Sequence, residues 1–164
     1  MRETFIIDTN VISHYLAVNQ NDPEWQIKQQ LADALFDELA KKKARVMIPT
    51  PVLLELLYMN KDGSDRKKLL VMLQQAFQFA DFSADAAAIG ADLMRENGTF
   101  NKLIQENGQR LRDHLRTDTQ IIAIALANHA DAIYSEDKHF QALSQGKIPI
   151  KGLPAAVQMQ LPEQ

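Results

Sequence analysis

The chain has 164 residues, 46% hydrophobic and 24% charged, which favours one domain of ordinary size with a real core. It has no cysteine, which excludes disulfides, zinc–thiolate sites and cysteine nucleophiles. A formal charge of −3 is not the basic balance of a dedicated nucleic-acid binder.

The first strand is expected at Thr4 to Ile7, β-branched and aromatic without Gly or Pro. Residues 10–18 read as helical. Trp25 to Lys43 reads as an amphipathic helix, with Ile27, Leu31, Leu35 and Leu39 at spacings of four. That stripe is most simply core. A second strand is expected at Arg45 to Ile48. Thr50 suits a helix cap and Pro51 a first helical position, and this helix ends near Asn60.

After a turn at Lys61 to Ser64, Ser64 is expected to cap a helix reaching about Gln75. Phe77 to Phe82 predicts a third strand, and Ser83 starts a helix interrupted around Asn97-Gly98. Residues 98–112 suit an irregular helix or a mobile segment. Thr117-Asp-Thr-Gln120 matches a capping box, opening a helix to about His129. Ala132 to Ser135 predicts a fourth strand, Asp137 to Leu143 a short helix, and Lys147 to Ile150 a fifth strand. There is no internal repeat, low-complexity tract or linker, so residues 1–164 read as a single domain.

Strands alternating with helices imply an α/β fold in three layers, with a mostly parallel sheet of four or five strands between helices. Ligands bind such sheets beyond the carboxyl ends of the strands. Four acids fall near those ends or in the early turns of helices: Asp8 in FIIDTN, Glu55 in TPVLLELL, Asp118 in RTDTQIIAIALA and Asp137 in AIYSEDKHF. Charged groups rarely sit in apolar surroundings without a partner. Four gathered carboxylates would repel each other unless a cation neutralised them, and hard oxygen ligands suit Mg²⁺ or Mn²⁺. That combination points to metal-dependent phosphodiester chemistry. Setting these four aside leaves 17 of the 21 acids against 18 bases, so the net charge does not exclude an enzyme acting on RNA.

Asp8-Thr9-Asn10, Glu55, Asp118 before IIAIALA, and Ser135-x-Asp137-x-x-Phe140 together resemble the PIN-domain nucleases, most of all the VapC-type toxins of toxin–antitoxin pairs. The resemblance runs from residue 4 to about 150. It implies that Asp8, Glu55, Asp118 and Asp137 form the metal-binding, catalytic cluster, supported by Thr9, Asn10 and Ser135. It further implies an RNA substrate, a small antitoxin partner and, as is common in similar proteins, a homodimer. The chain is longer than many compact toxins, mainly through residues 81–112.

Each residue also has a plainer role. Asp8 suits a helix cap, Glu55 could reach solvent or pair with an arginine, and Asp118 suits the first turn of a helix, where the dipole favours acids. Glu136 is expected to face solvent or, at most, to hold a metal-bound water. Arg112 and Arg116 share a helix face and could grip phosphates next to the metal, or simply be solvated. His139 lies near Asp137 and could touch the site, but more simply packs locally.

Other functions fit less of the pattern. A phosphoryl-accepting receiver domain wants adjacent acids after its first strand, which Asp8-Thr9-Asn10 lacks. A PIN-domain RNA-processing nuclease that is not a toxin, or a catalytically silent partner-binding module, are the remaining alternatives. No apolar run approaches a membrane span, the start does not resemble a signal peptide, and a cytoplasmic location is the simplest expectation.

Overall fold

A computed structural model describes residues 2–16 and 22–155. Five strands form one sheet: β1 (Thr4–Ile7), β2 (Arg45–Pro49), β3 (Gln78–Ala80), β4 (Ala132–Tyr134) and β5 (Ile150–Lys151). Their order is β3-β2-β1-β4-β5, and every pairing is parallel. A parallel sheet must be covered on both faces, so its central strand can be apolar throughout. β1 meets this requirement: Phe5, Ile6 and Ile7 are buried, and Ile6 lies between Met47 of β2 and Ile133 of β4.

The cover comes from α1 (Thr9–Tyr15), α2 (Pro23–Lys41), α3 (Thr50–Met59), α4 (Gly63–Ala76), α5 (Ala84–Arg95), α6 (Thr99–Asn107), α7 (Arg112–Ala127) and α8 (His139–Leu143). α1 packs on α2 and α3, and α7 packs on α5, α3 and α8. Ile121, Ile122, Ala123, Ile124 and Ala125 are all buried, so the IIAIALA stretch is embedded. The α5–α7 approach is close, since a Cβ on Gly90 would lie 3.5 Å from that of Ala123.

The chain runs from β1 to β2 and β3 on one side, then returns to β4 and β5 on the other. The reversal puts the carboxyl ends of β1 and β4 side by side, where sheets of this kind open a ligand crevice. Asp8 donates its backbone N–H to the Tyr134 carbonyl at 3.0 Å, joining the two strand ends at that point.

Several local expectations are corrected. The third strand shrinks to Gln78–Ala80, and the fifth moves to Ile150–Lys151. The first helix begins at Thr9, with Asp8 as its cap; positions 17 and 18 lie outside the described residues. Thr50 does not cap α3 but is its first residue, after Pro49. Asp62, not Ser64, caps α4, accepting from the backbone N–H of Ser64 and Asp65. Residues 98–112 are largely helical. The break comes where Asn97 and Gly98 turn left-handed, at φ 57° and 66°. The capping box at Thr117 does not form, because α7 already begins at Arg112 and the Thr117 hydroxyl bonds back to the Asp113 carbonyl at 3.2 Å. A helix continuing from upstream leaves Thr117 no free N–H groups to cap.

Candidate metal centre

Asp8 leaves the end of β1 in extended conformation and caps α1. Its Oδ1 accepts the Thr9 backbone N–H at 2.7 Å, and its Oδ2 accepts the Ser135 hydroxyl at 2.7 Å. Asp8 and Ser135 are both buried. The Ser135 hydroxyl oxygen in turn accepts the Asp137 backbone N–H at 3.0 Å. Asn10 Oδ1 accepts the Glu136 N–H at 3.1 Å, so α1 holds the loop after β4 in two places.

Thr9 donates its hydroxyl to Glu55 Oε2, bringing the α3 acid to the start of α1. Glu55 is only half-buried. Its neighbours Leu54, Tyr58 and Met59 are exposed, so its apolar sequence surroundings do not amount to an apolar pocket. Asp118 lies in the second turn of α7, not the first, and shares a face with Leu115 and Ile122, which are fully buried.

These acids feel one another. Burial pushes Asp118 up to about 8, with Asp137, Asp8 and Glu55 adding repulsion. Burial likewise raises Asp8 to about 6, against the lowering effect of its Ser135 and Thr9 hydrogen bonds, with Glu55 and Asp137 adding repulsion. Buried carboxylates whose charge is disfavoured in this way suit a dication. Ligand atoms of Asp118, Asp137 and His139 lie within 4.8 Å of one another, close enough to share one ion. The donors are mainly carboxylate oxygens, which fit Mg²⁺ or Mn²⁺.

Two neighbours of Asp137 take more specific roles than solvent contact or local packing. Glu136 does not simply face water: its Oε1 accepts the Leu153 N–H at 2.8 Å, and its Oε2 lies 3.9 Å from Lys28 Nζ. A Cβ on Gly152 would lie 2.8 Å from that Oε1, so a glycine there leaves room for the contact. His139 does touch the site, through Asp137. The signal was present as an acid two residues before the helix start, the spacing of an Asx turn.

Arg112 and Arg116 are exposed, with no hydrogen bond or ion pair among the described residues. Because α7 is continuous, the helical repeat places Arg112 roughly 120° and Arg116 roughly 160° round the axis from Asp118. The structure therefore does not bring them to the face that carries Asp118.

The PIN domain family model matches residues 5–145, from β1 through α8. Among solved structures, the chain is similar to a chain of VapBC2 from Rickettsia felis bound to a DNA fragment from its promoter. The identity there is 20%, the coverage 92% of this chain and 99% of that one, and the TM-score 0.59. It is also similar to a chain of DNA-bound VapBC from Salmonella typhimurium, at 15% identity, 93% and 98% coverage, and a TM-score of 0.52. No curated protein matches the chain.

Proposed function

The chain belongs to the PIN domain family, and from that premise we propose that it is a metal-dependent endoribonuclease, the toxin of a VapBC-type toxin–antitoxin pair. The observation that carries this proposal is the approach of Asp118 and Asp137 oxygens within 4.8 Å, with Asp8 joined to the Asp137 loop through Ser135 and Glu55 joined to the start of α1 through Thr9, and with Asp8 and Asp118 pushed toward their protonated forms mainly by burial. Burying carboxylates that also repel one another is costly in a fold without a cation and useful in one that binds it.

Asp8, Glu55, Asp118 and Asp137 would hold Mg²⁺ or Mn²⁺, which when bound activates a water and offsets charge on the scissile phosphate. The chain's own groups do the positioning. Ser135 ties Asp8 to the β4 loop, Thr9 aims Glu55, and Asn10 anchors the backbone beside Asp137. No side chain has to act as a covalent nucleophile.

The toxin assignment rests on the VapBC neighbours, which are complexes bound to DNA. By analogy, this chain has a small antitoxin partner and forms a homodimer. α3 and α4 leave Leu54, Tyr58, Met59, Val71 and Met72 exposed, apolar surface of the kind partners cover. An RNA substrate places the protein in the cytoplasm. Among the described residues no helix is long and apolar enough to cross a membrane.

The test is cleavage of a labelled structured RNA pool with Mg²⁺, Mn²⁺ or EDTA. Wild type should cut only with metal. Asp8→Asn and Asp118→Asn should each lose more than about 100-fold, beyond the loss typical of a merely supporting residue, and remain folded by circular dichroism. Equal cleavage by wild type and both variants would overturn the proposal. Expression of wild type, but not Asp8→Asn, should arrest growth. Active enzyme without arrest would favour a processing nuclease instead.

A further inference from the structure

Among the described residues, the Asp137 carboxylate meets a single residue, His139. Its Oδ1 accepts the His139 backbone N–H at 2.8 Å and lies 2.9 Å from His139 Nδ1. A carboxylate oxygen can only accept, so the ring nitrogen that approaches it can serve it only as a donor, with the ring proton on Nδ1. The backbone N–H and the ring Nδ1 of His139 thus both face Oδ1. Oδ2 has no hydrogen bond among the described residues.

The ring itself is fixed in place. The His139 side chain is 13% exposed. Its Nε2 is buried, with no hydrogen-bond partner among the described residues. The next residue, Phe140, is fully buried and anchors the start of α8.

We propose that His139 is the positioning residue for Asp137, clamping Oδ1 with its backbone N–H and Nδ1–H so that Oδ2 is presented to the cation. This rests on the metal-site assignment above and deepens it. His139 is close enough to be considered a ligand, since its nitrogen lies within 4.8 Å of the Asp118 and Asp137 oxygens. However, a ring nitrogen that donates has no lone pair for a cation, so Nδ1 serves the carboxylate. Fixing a ligand's orientation through an N–H bond is how surrounding groups tune a metal site.

The experiment is Mn²⁺ binding to the full metal-free chain, followed by electron paramagnetic resonance of the free ion. The variants are His139→Phe, His139→Asn, His139→Gln, Asp118→Asn and Asp137→Asn. An Asn amide can replace the Nδ1–H donor, whereas a Gln amide reaches the Nε2 position instead. His139→Phe should weaken binding about 10–100-fold, the loss expected on removing a supporting hydrogen bond. His139→Asn should recover most of it, and His139→Gln should not. In an Asp137→Asn background, His139→Phe should cost nothing further, because it acts through Asp137.

Wild-type affinity in His139→Phe, with Asp118→Asn impaired, would overturn this inference and leave the metal site standing. Equal losses in the Phe and Asn variants would also overturn it. Recovery by Gln rather than Asn would overturn it in favour of Nε2 as a direct ligand. No binding by wild type, or undiminished binding by Asp118→Asn, would overturn the metal site and this inference together. A melting temperature for each variant separates lost binding from lost fold.

Discussion

Asp118 is a residue that the fold holds at a cost. Its carboxyl is raised from an ordinary 3.8 to about 8 by burial and by Asp137, Asp8 and Glu55. When a folded pKa lies above the unfolded one, the favourable contribution is complete below the unfolded value and is lost as pH rises to the folded value. The metal-free wild type should therefore lose stability relative to Asp118→Asn between about pH 4 and pH 8. The check is the melting temperature of both proteins with EDTA across that range. A difference that does not change with pH would contradict the burial of a shared charge.

The sequence showed Asp118 as an acid before an apolar run but misjudged why it sits there. A first-turn acid and a second-turn acid look alike locally, and only the upstream helical start at Arg112 separates them. Glu55 shows the reverse case. Its apolar neighbours suggested deep burial, but Leu54 is 69% and Tyr58 84% exposed, so the helix turns an apolar face outward. Periodicity says which residues share a face but not what covers it.

At the scale of elements, the strands β1, β2 and β4 were legible because buried parallel strands are short apolar runs. β5 was harder to place. Its two residues are defined by pairing, with Ser135 donating its N–H to the Lys151 carbonyl at 2.9 Å, and such partners are remote in sequence. Helix starts were the weakest point, since Ser, Thr and Asp compete for the cap and a shift of two residues changes the winner. α4 makes this testable. Asp62 accepts from Ser64 N–H at 2.7 Å and Asp65 N–H at 3.1 Å. Asp62→Ala should cost about 1 kcal/mol in urea unfolding, while Ser64→Ala should change almost nothing. The opposite ranking would restore Ser64 as the cap.

For the whole molecule, the sheet order brings Asp8 and the loop that carries Asp137 side by side, joined through Ser135. The sequence could place Asp8 and Asp137 after strands, but the adjacency of β1 and β4 is a property of the topology. With that adjacency, Ser135 can reach Asp8 across 127 positions of sequence. A cation should then stabilise the entire fold. Mn²⁺ at about a hundred times its dissociation constant should add about 2.7 kcal/mol. Binding must displace the proton on Asp118, so at a fixed Mn²⁺ concentration the gain should be larger at pH 8 than at pH 5. A gain that is equal at both pH values would place the ion elsewhere.

The most direct measurement is anomalous diffraction from a crystal of the full chain equilibrated with Mn²⁺. The expected result is manganese density at the carboxyl ends of β1 and β4, in contact with carboxylates of Asp8, Asp118 and Asp137. A crystal that shows manganese only away from those three residues would contradict the metal centre, and with it the proposed nuclease.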